Sequence, residues 1–157
     1  MEIHGYNLGA KMSSLVFINV DCREERIDGN FSWYNSGEVM QVLNVLNSLY
    51  DKGISPDDIG IITPYSLQVR KIYELLDSLK IFSPKVASVE EFQGQERDII
   101  IMSLVRNNVG ISKKLSPFVT DAQRINVALS RARLLNVIIG HRNTLAAHPM
   151  WVEIISK

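Results

Sequence analysis

Apolar positions along this chain fall into two alternating patterns. Short apolar-rich runs occupy residues 15–20, 59–62, 85–89, 98–105 and 135–140. Between them, apolar residues recur at three- and four-residue spacing: Val39, Val42, Leu43, Leu46, Leu49 and Tyr50, then Leu67, Ile72, Leu75, Leu76 and Leu79, then Ile125, Ala128, Leu129 and Ala132. The runs predict strands buried on both faces, and the periodic segments predict amphipathic helices. Ser36 is the expected N-cap of the first helix and Gly53 its stop, and Pro64 ends the second strand. A helix is predicted over 121–133, and a terminal one from Pro149 with Trp151, Ile154 and Ile155 to bury. Asp28-Gly29-Asn30 reads as a turn and residues 106–120 as a long surface loop. Together these predict an α/β fold, a mostly parallel sheet with helices on both faces, as one domain over 13–157. Residues 1–12 show no period and read as an irregular N-terminal segment.

Composition narrows the class. Apolar residues make up 46% of the 157, too many for a disordered chain. No apolar run approaches the roughly 20 residues that span a bilayer, and the start lacks the basic-then-apolar order of a signal peptide. Cys22 is the single cysteine, so no internal disulfide can form, and a reducing, cytoplasmic setting without membrane contact is expected. Seventeen basic residues balance seventeen acidic ones. Any contact with nucleic acid must therefore come from local placement. Arg97, Arg106, Lys113, Lys114, Arg124, Arg131, Arg133 and Arg142 gather between residues 97 and 142.

Several chemistries lack their residues. The chain has no Gly-x-x-x-x-Gly-Lys-Ser/Thr phosphate loop, no Gly-x-Gly-x-x-Gly and no Gly-x-Ser-x-Gly. His4, His141 and His148 lack zinc-ligand spacing, so no metal site is expected. In parallel sheets, ligands gather beyond the carboxyl ends of strands, which selects the residues from Asp21 onward, 63–68, 88–96 and 140–143. Ser88-Val89-Glu90-Glu91-Phe92-Gln93-Gly94-Gln95-Glu96 groups polar residues around one glycine, which suits close approach to a ligand as well as it suits a plain polar turn. In Gln123-Arg124-Ile125-Asn126-Val127-Ala128-Leu129-Ser130-Arg131-Ala132-Arg133, Arg124 and Arg131 share one helix face two turns apart. They could hold phosphate oxygens or serve as a solvated arginine face.

Thr63-Pro64-Tyr65-Ser66-Leu67-Gln68, the Ser88 to Glu96 string and the Arg124 to Arg133 string resemble, in order and spacing, motifs IV, V and VI of superfamily 1 helicases. They are similar to the up-frameshift-type RNA helicases. Ser32-Trp33-Tyr34-Asn35 and His148-Pro149-Met150-Trp151 resemble the Armitage-like branch, which acts in RNA silencing and retroelement control. The resemblance implies the second of two RecA-like domains that clamp ATP and Mg²⁺ between them, in an ATP-dependent 5′-to-3′ RNA helicase. Arg131 then matches the catalytic arginine finger. Gln68, Gly94, Glu96 and Arg124 match ATP-binding positions, and Thr63 and Ser88 match positions on the single-strand RNA track. The implied partners are the first RecA-like domain, single-stranded RNA and proteins of RNA silencing or decay. All three ATP-facing residues Gln68, Glu96 and Arg131 are expected on one exposed rim near the carboxyl ends of the strands. The sequence departs from the pattern at Gln123, where the family has a first arginine, and at Val69, where some relatives place one. The rival readings are a DNA helicase of the same superfamily and a non-enzymatic module that binds RNA or protein.

Overall fold

A computed structural model describes residues 2–3, 6–7, 14–27, 29, 32–107 and 117–156. Glu2–Ile3 (β1) and Tyr6–Asn7 (β2) pair antiparallel, so the N-terminal segment carries a short ladder of its own. The main sheet comprises Ser14–Asn19 (β3), Ile59–Ile62 (β4), Lys85–Ala87 (β5), Arg97–Ser103 (β6) and Ala132–Gly140 (β7). Its order is β3-β7-β6-β4-β5, and every pairing is parallel. The helices are Ser36–Asp51 (α1), Ser66–Ser78 (α2), Pro117–Thr120 (α3), Ala122–Ser130 (α4), Arg142–Leu145 (α5) and Pro149–Ile155 (α6).

Alternation along the strands divides the core into two layers. Ile59, Ile61, Ile99, Ile101, Val137 and Ile139 face one side, where Val42, Leu46, Ile72 and Leu76 bring α1 and α2 against them. Ile62, Ile100, Met102 and Ile138 face the other, under Ile125, Ala128 and Leu129 of α4 and Trp151 of α6. Both layers are largely apolar, as parallel strands buried on both faces require. Trp151 is fully buried, and its ring N–H still finds a partner in the Val119 carbonyl at 2.7 Å.

Gly60 in β4 decides where the segment after β5 can run. A Cβ at Gly60 would stand 2.6 Å from the Phe92 ring. Without it, the Phe92 ring packs against β4 at Gly60 and is fully buried. At the sheet's edge, Tyr73 closes β5: its hydroxyl accepts from Val86 N–H at 2.8 Å and donates to Val86 C=O at 3.2 Å. This occupies main-chain groups that an open edge would offer to another strand.

Local boundaries differ from expectation at several points. Asn35, not Ser36, caps α1, its Oδ1 accepting from Glu38 N–H at 3.0 Å. The third strand stops at Ala87, because Phe92 draws the chain into a 3₁₀ turn at Glu90–Phe92. The helix predicted to run to Arg133 stops at Ser130, and strand begins at Ala132. There the β-sheet pairing of Ala132 with Arg97 prevails over helical periodicity. Part of the expected 106–120 loop is the short helix α3, and residues 108–116 lie outside the described ones.

Candidate functional site

The 88–96 segment and α4 lie side by side, joined at both ends. At one end Arg124 Nη2 meets Glu90 Oε1 at 2.6 Å, with the Arg124 guanidinium 5.2 Å from the Phe118 ring. At the other, Arg97 N–H donates to the Arg131 carbonyl at 2.9 Å. Between them runs a groove of about 220 Å³ lined by Val89, Glu90, Gln93, Gln123, Arg124 and Val127. The segment is fixed from beneath as well as at its ends. Phe92 is its apolar anchor, and Lys85 Nζ donates to the Glu91 carbonyl at 2.6 Å and to Gln95 Oε1 at 3.1 Å. Gly94 turns the chain with φ +72°, a conformation that favours glycine, and a Cβ there would meet nothing within 4 Å. Its glycine is thus required by backbone geometry, while the space beside it is open.

The three arginines of this region differ in what holds them. Arg124 is paired with Glu90, and Arg133 with Asp98 at 2.8 Å. Arg131 has no carboxylate partner among the described residues. Its Nη2 donates to Ser130 Oγ at 3.3 Å, and its Nε is buried without a partner. Arg124 Nε is likewise buried and unpartnered. Glu96 is exposed at the start of β6, one residue from Arg97 and so beside Arg131. Two guanidinium groups with unused donors, roughly 10 Å apart along one helix, suit an elongated polyanion.

The carboxyl ends of the strands are built differently. Thr63 follows β4 and Ser88 follows β5. Ser88 is partly exposed, its hydroxyl 3.4 Å from Glu91 Oε1, whereas Thr63 is buried and its hydroxyl has no partner. Gln68 is fully buried on the first turn of α2. Its Oε1 accepts from Asn35 N–H at 2.9 Å, and its Nε2 donates to Ser103 Oγ at 3.0 Å. Ser103 Oγ in turn donates to Glu38 Oε1 at 2.7 Å. Burial pushes the Glu38 carboxyl up to about 7, against hydrogen bonds from Val105, Ser103 and Leu104 that favour its charged form.

The single rim expected for Gln68, Glu96 and Arg131 does not form. Glu96 and Arg131 are neighbours, but at the amino ends of β6 and β7, because each immediately precedes its strand. Gln68 lies across the sheet from Arg131, on the α2 layer, and bonds to Ser103 at the far end of β6. The length of β6 alone sets them ~20 Å apart along the strand. Asn35 and Glu38, neither of them a candidate site residue from the sequence, are central to the carboxyl-end network. Their signal was present: an Asn followed three residues later by Glu, ahead of an apolar stripe, is a capping signature. Among the described residues no group of three or more His, Cys, Asp or Glu side chains could hold a metal ion, and no helix is long and apolar enough to cross a membrane.

An all-parallel sheet covered on both faces, with arginines on the helix that leads into the last strand, is a RecA-like fold of the P-loop NTPase type. Residues 3–143 match a family model described as an AAA domain, and the chain belongs to that family. It is homologous over part of its relatives to superfamily 1 helicases. It is 41% identical over 128 residues to "Probable RNA helicase armi" of Drosophila melanogaster, covering 79% of this chain and 11% of that protein. It is 38% identical over 143 residues to "RNA helicase Mov10l1" of Homo sapiens, covering 87% and 12%. It is 35% identical over 139 residues to "ATP-dependent helicase NAM7" of Saccharomyces cerevisiae, covering 85% and 14%. The chain thus spans 11–14% of the length of these relatives. The C-terminal domain of a possible DNA helicase from Lactobacillus plantarum superposes with a TM-score of 0.55 over 92% of this chain and 81% of that one. At 14% identity this shows the shared fold.

Proposed function

We propose that this chain is the second motor domain of an ATP-dependent RNA helicase, contributing an arginine finger to an ATP site completed by another RecA-like domain. The observation that carries the reading is Arg131: a guanidinium without a carboxylate partner among the described residues, beside Glu96, at the end of α4. A surface arginine serving stability alone would be expected to hold a carboxylate, as Arg133 holds Asp98. ATP with Mg²⁺ supplies a phosphoryl group whose departure concentrates negative charge, and fixed positive charge is most of what such a reaction asks of a protein. The residues present fit an anionic ligand, since Arg124 and Arg131 each keep a buried, unused Nε. In this reading Arg131 stabilises the departing phosphoryl charge and Arg124 orients phosphate oxygens. Glu96 accepts from a sugar hydroxyl, and Gly94 holds the turn that brings Glu96 there. Gln68, on the opposite layer, takes no direct part.

The carboxyl edge carries the RNA track in the same reading. Ser88 would donate to phosphate or sugar, and the buried, unpartnered hydroxyl of Thr63 is a group a phosphate oxygen could satisfy if the edge opens to admit it. Such contacts read the backbone, so sequence preference should be slight. Because the chain has no phosphate loop, it should hydrolyse no ATP by itself. The deciding experiment is Arg131→Ala in the complete helicase. ATP turnover should fall ~10³-fold or more while RNA affinity without nucleotide is retained. Near-normal turnover would remove the central residue of this reading.

A further inference from the structure

The carboxyl edge contains a strained residue with no part in the reading above. Val105, directly after β6 and Leu104, has φ +73°. A β-branched residue adopts this left-handed conformation only at a cost, since its Cβ crowds the neighbouring carbonyl. Strain of this kind persists where the surroundings over-determine it. Both main-chain groups of Val105 are held by buried side chains. Its N–H donates to Glu38 Oε1 at 2.9 Å, and its carbonyl accepts from Asn35 Nδ2 at 2.9 Å. Gln68 joins the two holders, bonding Asn35 N–H on one side and reaching Glu38 through Ser103 Oγ on the other. Asn35, Glu38, Gln68 and Ser103 are each 0% exposed. That is an expensive place for polar groups, and Glu38 Oε2 alone among their side-chain atoms is buried without a partner, both bonds to Glu38 going to Oε1.

The residues after Val105 show what this conformation sets in place. Arg106 Nε reaches Glu24 Oε1 at 2.9 Å, its Nη1 donates to the Tyr65 hydroxyl at 3.4 Å, and its guanidinium lies 4.5 Å from the Trp33 ring. Asn107 N–H donates to Glu24 Oε2 at 2.9 Å, and its Nδ2 to Asp21 Oδ1 at 2.9 Å. The turn at Val105 thereby ties together the loops that follow β3, β4 and β6. An extended φ there would continue the line of the strand and carry Arg106 away from both Glu24 and Tyr65.

We propose that Asn35, Glu38 and Gln68 form a buried clamp that holds Val105 in its left-handed conformation and so fixes Tyr65 and Arg106 on the RNA-facing edge, which makes Gln68 a positioning residue for RNA and not a nucleotide ligand. The RNA half of this rests on the reading that the carboxyl edge carries the track.

Two measurements test it. In the 157-residue chain, the urea midpoint is compared for Gln68→Ala with and without Val105→Gly. Glycine adopts the positive φ freely, so the shift caused by Gln68→Ala should be at most about half as large in the glycine background. Equal shifts in both backgrounds overturn the clamp. Ser103→Ala, which breaks only the bridge from Gln68 to Glu38, gives the same comparison should Gln68→Ala fail to fold. In the complete helicase, Gln68→Ala should weaken binding of a labelled oligouridylate on the order of tenfold and leave the KM for ATP unchanged. A raised KM for ATP with intact RNA affinity overturns the positioning role. Ser88→Ala and Thr63→Ala are measured alongside. If these too leave RNA affinity unchanged while the midpoint shifts are coupled, the clamp stands and the assignment of RNA to this edge fails.

Discussion

At the carboxyl end of β6, Ser103 lies buried in a chain of hydrogen bonds that runs from Gln68 to Glu38 and onward to Val105. At the amino end of the same strand, Arg97 and Glu96 stand beside Arg131, whose guanidinium has no carboxylate partner among the described residues. Both ends are polar, yet the first uses polar groups to fix its own backbone and the second leaves charge unspent. A buried network resists change because each lost bond leaves a further buried partner unsatisfied. A guanidinium that no carboxylate among the described residues holds, with its Nε buried and unpartnered, retains its capacity to meet an anion at some cost to the fold. Substitutions should therefore separate, those in the buried carboxyl-end network altering stability and RNA affinity and those on the α4 flank altering ATP turnover.

The largest effect expected is on the flank. Beyond the loss predicted for Arg131→Ala, Arg131→Lys should leave turnover at least ~10²-fold down, because a compact ammonium cannot reproduce the planar fork. The thermal midpoint of either variant should stay close to that of the unaltered chain. A large drop in that midpoint would erase the contrast between the two ends.

At the carboxyl end, Asn35→Ala removes the cap of α1 and leaves the Val105 carbonyl without its side-chain donor, while the Cys22 carbonyl keeps only Asn107 Nδ2 at 3.2 Å. The lost cap and one orphaned buried carbonyl together predict a loss of about 3 kcal/mol in chemical denaturation of the chain. A loss below ~1 kcal/mol would mean the network is far looser than its geometry implies.

Glu38 sharpens the same point through pH. Its folded value, raised by burial to about 7 from an ordinary 4.5, means the folded chain holds this proton more tightly than the unfolded chain. The contribution is fully present below pH 4.5 and is lost as pH rises through 7, amounting to roughly 3 kcal/mol. Glu38→Gln keeps an acceptor for Ser103 and Val105 and carries no proton to lose. Its stability should be flat across that window, and at pH 8 it should exceed that of the unaltered chain. An identical pH profile for both proteins would assign the dependence elsewhere.

The smallest effect belongs to the Glu90–Arg124 pair. With side chains 57% and 34% exposed, it should contribute no more than ~1 kcal/mol. Glu90→Ala should therefore leave the urea midpoint almost unchanged. A loss comparable to that of Asn35→Ala would show the flank to be structural after all.

The sequence itself determined the layered architecture, because that depends on period alone. Runs such as 59–62 and 98–105 read as buried strands, the second ending at Ser103, and the stripes of α1, α2 and α4 face them. The motif strings also placed Gly94, Glu96 and Arg131 in one neighbourhood, since each lies within a few residues of β6 or β7. Even the end of the sheet they occupy was readable in principle: a residue just before a parallel strand must lie at its amino end. Other features depended on atoms far apart in the chain. The buried bonds of Gln68 are made to Asn35 and Ser103, 33 and 35 residues away. The third strand ended at Ala87 because Phe92 found the space above Gly60. Val105 took a conformation its own side chain disfavours because Asn35 and Glu38 over-determine it. Periodicity reports which face of an element is apolar, but a buried polar side chain is assigned its role only by the partners that folding brings to it.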